Sequence, residues 1–149
     1  MRTKIQKTEK VLYPELSYDI NGVLFTTRKE LGIFCNEKQY CDYIETLFKE
    51  RGIKYEREKI LTQYFEGEQK GRNRVDFLIE DTIILEVKAK SMLATEDYYQ
   101  VQRYLTSLGK ELGILVNMRR YTVTPKRILN SGNMVKSETT KRYPKDTKK

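Results

Sequence analysis

Histidine is absent from this 149-residue chain, and so is tryptophan. Without imidazole there is no Ser-His-Asp triad, no Cys-His pair and no histidine-held metal. Any hydrolytic chemistry must come from carboxylates, lysine, tyrosine or a metal bound through oxygen, and oxygen ligands suit Mg²⁺ or Mn²⁺ rather than zinc. Cysteine is nearly as scarce. Cys35 and Cys41 both lie near one expected helix start, too few for a disulfide framework or a four-ligand zinc site. No apolar run approaches the roughly 18 residues of a membrane span, so no membrane partner is expected. The N-terminal MRTKIQKTEK has no apolar stretch behind its charges and does not read as a secretory signal. These absences together lead to the expectation of an intracellular, cytoplasmic chain of single-domain size.

What is present begins with charge. Residues 1–10 carry four basic and one acidic side chain, and residues 130–149 carry six basic and two acidic. The body between them, 19 basic against 18 acidic, is almost neutral. The net charge of +8 therefore sits mainly in two tails, readable as phosphate-seeking arms or as solubilising segments. The expected organisation is a basic N-terminal arm over 1–11, one domain over 12–129 and a tail over 130–149 too polar to fold.

Within the domain, Pro14 suits the first turn of a helix running to about Leu31, with Gly32 as the stop. Leu16, Ile20, Val23, Leu24 and Leu31 make its apolar stripe. A second helix is expected from the N-cap Asn36 to before Gly52, with Tyr40, Ile44, Leu47 and Phe48 facing inward. Residues 53–65 have strand composition, 66–71 a turn, and two further strands meet across Asp81-Thr82. Thr95 is expected to cap a helix through Leu108, whose stripe is Tyr98, Val101, Leu105 and Leu108. LGILVN (112–117) reads as a strand covered on both faces, and 122–129 as an edge strand. The order is ααβββαβ(β), an α/β fold with a mixed central sheet.

Residues 83–90, IILEVKAK, place Glu86 and Lys88 two apart inside an apolar run, so both point to one face of a strand. A structural ion pair or a wet edge strand is one reading. The other depends on Asp76 in the preceding strand. A two-residue turn at Asp81-Thr82 would send Asp76 to the opposite face. A three-residue loop, Glu80 to Thr82, or one bulge would set it against Glu86, and that is the expected geometry. Opposed carboxylates repel unless a cation lies between them, and a divalent ion held by two carboxylates and a backbone carbonyl resolves the conflict. Glu37 heads the inward stripe of the second helix, as a ligand or simply as a complement to the helix dipole. Gln100 and Tyr104, four apart, share a helix face.

Asp76, then Glu86-Val87-Lys88, after a helix bearing Glu37 and before one bearing Gln100-x-x-x-Tyr104, resembles the PD-(D/E)XK nuclease superfamily. Within it the chain is most similar to the family named for a Gly-x-x-Glu-x-x-Tyr (GxxExxY) motif. YPELSYDINGVLF (13–25), ELG (30–32), Glu37 to Tyr40, ILEVKAK (84–90), QVQRYL (100–105) and LGILVNM (112–118) carry the likeness. Phe34 stands where that family has its glycine, and Val75 where the superfamily's proline precedes the aspartate. The resemblance implies a restriction-endonuclease-like core and a Mg²⁺-dependent nuclease acting on DNA, with Mn²⁺ able to substitute. It implies that Asp76, Glu86 and the Val87 carbonyl hold the metal, with Glu37 helping directly or through water. Lys88 would orient the attacking water or stabilise the phosphorane, and Gln100 and Tyr104, as in RecB-type nucleases, would position the site or the nucleic-acid backbone. Arg72, Arg74 and Lys90 flank these residues as phosphate contacts or as solvated strand-end charges. A junction-resolving version of this chemistry requires a symmetric homodimer. Two other readings are a nucleic-acid-binding module that keeps the fold without cutting, and a protein-interaction module built on the 11 tyrosines.

Overall fold

The computed structural model describes residues 12–131. The basic arm expected over 1–11, and all of the expected tail beyond Ser131, lie outside the described residues. Pro14, which has no N–H to leave unbonded, opens helix α1 (Pro14–Leu31). Ile20, Val23 and Leu24 are fully buried along it, and Leu16 and Leu31 pack at the margin of the same core. Helix α2 (Glu37–Glu50) starts with a reciprocal cap: Asn36 Oδ1 accepts from Gln39 N, and Gln39 Oε1 from Asn36 N, each at 2.8 Å. Gly52 follows at φ 70°, a left-handed turn open to glycine at little cost, and Ile53 N then bonds back to Phe48 O. Phe34, in the glycine position of the resembled family, is 92% exposed in the α1–α2 bend. That bend is held by Tyr40, whose hydroxyl donates to Gly32 O at 2.6 Å.

The sheet runs β1 (Tyr55–Ile60), β2 (Arg74–Ile79), β3 (Ile83–Lys88), β4 (Leu112–Asn117) and β5 (Lys126–Leu129), neighbours in chain order. All pairs are antiparallel except β3 with β4. That one parallel pair needs a crossover, which α3 (Thr95–Leu108) supplies. The expected α/β architecture with a mixed sheet and flanking helices is therefore the one observed.

Three boundaries differ from expectation. Strand β1 covers six residues of the expected 53–65, because 61–73 turns away as a loop around the buried Glu68 carboxylate, which accepts from Tyr64 N and Asn73 Nδ2. The final strand begins at Lys126 rather than at 122, and the chain stays bonded past 129: Asn130 N donates to Glu111 O and Ser131 N to Gln102 Oε1. Helix α3 is capped from within rather than by Thr95. The Asp97 carboxylate reaches back to the N–H of Ala94, the residue before the helix, at 2.7 Å.

The β2–β3 hairpin decides which residues of its two strands meet. Thr82 N closes a turn onto Ile79 O at 2.9 Å, with Glu80 and Asp81 at φ 51° and 55°, and Thr82 is left as an extra residue. The register is consequently Ile79 with Ile83, Leu78 with Ile84 and Phe77 with Leu85, the three-residue loop expected from the sequence. Glu80, strained by roughly 1–2 kcal/mol in this conformation, is tied to Lys54 through both its N–H and its carboxylate.

Side-chain alternation then sorts the sheet residues. Phe77, Ile79, Ile83, Leu85 and Val87 join α1 and α2 in one core. Leu78, Ile84 and Leu115 join Val101, Tyr104 and Leu105 of α3 in a second. Helix α3 seats closely on β4 because Gly113 lies beneath it. A Cβ there would stand 2.7 Å from Val101 Cγ1.

Candidate active site

Asp76 and Glu86 stand just beyond the paired residues Phe77 and Leu85, and Glu86 shares the α3 side of β3 with Ile84. Here side chains take over from the backbone ladder. Glu86 Oε2 accepts from Asp76 N at 2.9 Å, and Asp76 Oδ2 accepts from Val87 N at 2.7 Å. Each carboxylate thus satisfies the other strand's main chain, and both are pinned where the strands part.

The electrostatics are unfavourable for two free carboxylates. Burial is the main force raising Asp76, to about 6, against the pull of the Val87 N–H and the Lys88 ammonium. Burial also drives Glu86 well above the ordinary carboxylate range, and the Asp76 charge adds to it. Glu37 raises both further. Two desolvated acids repelling one another are stabilised by protons or by a cation. The donors are hard oxygens, two carboxylates with the Val87 carbonyl on the same strand, and they fit Mg²⁺ or Mn²⁺ better than zinc. Among the described residues no three acidic, cysteine or histidine side chains form a metal-binding cluster. Such a cation would therefore complete its shell with carbonyls and water.

Glu37 stands at the first turn of α2, exposed, and its carboxylate accepts from Ala89 N at 3.3 Å. It joins α2 to the end of β3 one residue past Lys88. Lys88, half-buried, donates to Gln100 Oε1 at 3.3 Å and lies 3.9 Å from Asp97 Oδ1. Gln100 thus meets the site directly. Tyr104 belongs to the α3-side core at 4% exposure. Burial raises its hydroxyl to about 12, and the nearby Glu86 charge contributes. Of the flanking cations, Arg72 is exposed, Arg74 is engaged by Glu58 and Gly71 O, and Lys90 pairs with Asp97 at 2.8 Å.

Asp97 and Asn117 were not singled out from sequence. Asp97, an acid in the first turn of α3, is buried between Lys88 and Lys90 while capping that helix. Burial opposes its charge, but the Ala94 N–H and the two ammonium groups hold its carboxyl below the usual range. Asn117 pairs with Lys88 in the β3–β4 register and bonds both Lys90 N and Lys90 O. Its one signal was a polar residue ending the otherwise apolar LGILVN.

A mixed five-stranded sheet that brings an aspartate, a Glu-x-Lys strand end and a helix glutamine together defines the restriction-endonuclease-like class. The chain belongs to the PD-(D/E)XK nuclease superfamily, whose family model matches residues 14–128. Solved structures resembling it include SSO0001, at TM-score 0.51 and 22% identity over 67% of this chain. Another is an alkaline exonuclease (LHK-Exo) from Laribacter hongkongensis, at TM-score 0.45 and 14% identity over 62%. The alignment covers 55% of each of those chains. At 22% identity the likeness to SSO0001 is one of fold. No curated protein matches the sequence.

Proposed function

We propose that this chain is a metal-dependent nuclease that hydrolyses phosphodiester bonds in DNA, and that it belongs to the GxxExxY branch of the superfamily. The observation that carries this reading is the crossed pair Asp76–Glu86, two carboxylates withdrawn from water and locked to opposite strands beside Lys88. Asp76, Glu86 and the Val87 carbonyl would hold Mg²⁺, or Mn²⁺ in its place, with Glu37 helping directly or through water. When bound, the ion offsets charge on the scissile phosphate and acidifies the attacking water. Lys88 donates to that water or to the phosphate oxygen on which negative charge grows. Gln100 and Asp97 hold the Lys88 ammonium in place, and Tyr104 backs the pair from the core. Arg72 is free to meet the phosphate backbone, whereas Lys90 orders Asp97.

The test is cleavage of linear, circular and single-stranded DNA by wild type and Glu86→Gln, with Mg²⁺, Mn²⁺ or EDTA. Metal-dependent cutting should fall at least about 10³-fold in the variant, the equivalent of about 4 kcal/mol. Absence of cutting by wild type under every metal would defeat the reading, and salt-sensitive binding left behind would make the chain a nucleic-acid-binding module instead.

A further inference from the structure

At the carboxyl ends of β3 and β4 lies a cavity of about 680 Å³, distinct from the carboxylate pair and adjoining it. Its walls are the 91–93 segment after β3, Tyr98 of α3 and the turn from Asn117 to Lys126. Three cations, Arg119, Arg120 and Lys126, line it, and among the described residues no acid does. The volume falls within the range of pockets that hold small organic ligands.

The backbone of this wall is fixed. The Arg28 guanidinium donates to both Arg120 O and Tyr121 O at 3.1 Å. Asn117 Oδ1 accepts from Arg119 N, and the Arg120 side chain donates to Ser91 O. On this anchored frame two large side chains are left bare, Tyr121 at 91% exposure and Met92 at 66%. An exposed aromatic carried on an anchored backbone among cations is the equipment of a stacking platform beside a backbone-binding groove.

Position gives the occupant. Asn117, which lines the cavity, pairs with Lys88 across the β3–β4 ladder, so one wall of the cavity stands on the strand next to the proposed catalytic lysine, about 4.8 Å away backbone to backbone. A nucleic-acid strand with its phosphate at Asp76, Glu86 and Lys88 would have this cavity beside it. In a duplex the base faces are stacked and hidden, whereas an unpaired base offers its face to an aromatic ring. We infer that this cavity binds an unpaired nucleotide next to the bond to be cut, so that the substrate of the site is single-stranded or frayed DNA. The inference rests on the nuclease reading for its substrate class.

Binding is read without cleavage. The full-length chain carrying Glu86→Gln, in EDTA, is titrated into a fluorescein-labelled 12-mer oligothymidylate and separately into a blunt hairpin duplex. Adding Tyr121→Ala should weaken single-strand binding about tenfold and leave the duplex within about twofold. Adding Arg119→Ala instead should lower the slope of log affinity against log salt for the single strand by about 0.7, the value for one phosphate no longer neutralised. Single-strand affinity within twofold of the parent in both variants, or equal losses on duplex, would overturn the inference. The two proposals fail separately. Wild type that cuts nothing, with a Tyr121 effect on binding, defeats hydrolysis and keeps the groove. Wild type that cuts, with no Tyr121 effect on binding, keeps the nuclease and discards the groove.

Discussion

The two faces of strand β3 are built from alternate residues of one six-residue segment, and they have opposite characters. On the α1–α2 side, Ile83, Leu85 and Val87 continue an apolar core through Phe77 and Ile79. On the α3 side, Ile84 is apolar, Glu86 is a buried acid and Lys88 a half-buried base. The first face gains stability from every atom it buries. The second forgoes part of that gain to keep like charges desolvated at Glu86 and its neighbour Asp76. A single strand thus anchors the fold with one set of side chains and presents the proposed catalytic groups with the other.

The contrast can be broken hardest from the packed side. Leu85→Ala removes a fully buried side chain and should destabilise the protein by about 3 kcal/mol, within the usual span for such truncations. Thermal unfolding in EDTA measures it. A change below about 1 kcal/mol would mean that this face is not the anchor.

The charged face should respond in the opposite direction. The folded chain holds the Asp76 proton more tightly than an ordinary carboxyl does, with a value raised from 3.8 to about 6. The native state therefore binds more protons than the unfolded state through that window. The metal-free protein then loses stability as pH rises from about 4 through 6, and the raised Glu86 extends the loss upward. Asp76→Asn keeps an oxygen for the Val87 N–H and removes the charge. It should stabilise the metal-free protein by about 2 kcal/mol above pH 7 and by little at pH 4, while abolishing the metal response. Melting curves across pH decide the matter, and a destabilised variant at pH 8 would contradict it.

The smallest effect concerns how the charged face is braced. Asp97→Asn keeps an acceptor for Ala94 N but removes the charge facing Lys88 and Lys90. Cleavage turnover should drop about tenfold with KM little changed, the mark of a group acting through the lysine. An unchanged turnover would leave Gln100 as the sole brace.

Much of this was legible in the sequence because it depends on period and parity. Pro14, Asn36 and Gly52 bound two helices through backbone rules that tertiary contacts did not override. The Asp76–Glu86 encounter followed from counting residues around one turn. What was hidden depends on contacts between distant segments. Asp97 caps a helix and holds Lys90, seven residues earlier, because the loop between them doubles back. Strand β1 stops early where the chain folds around Glu68, whose carboxylate accepts from Tyr64 N and Asn73 Nδ2. Tyr104 has the spacing of a surface pair with Gln100, yet its ring packs into the core between α3 and the sheet.

The hairpin turn between β2 and β3 also constrains how the protein can change over time. Losing or gaining one residue among Glu80, Asp81 and Thr82 would shift the strand register by one step. Asp76 would then turn to the opposite face of the sheet, with its partner left behind. Surface turns ordinarily drift freely in length. Without a compensating bulge this one should tolerate change only in pairs of residues, and its length should be inherited as strictly as the identity of the acids it aligns.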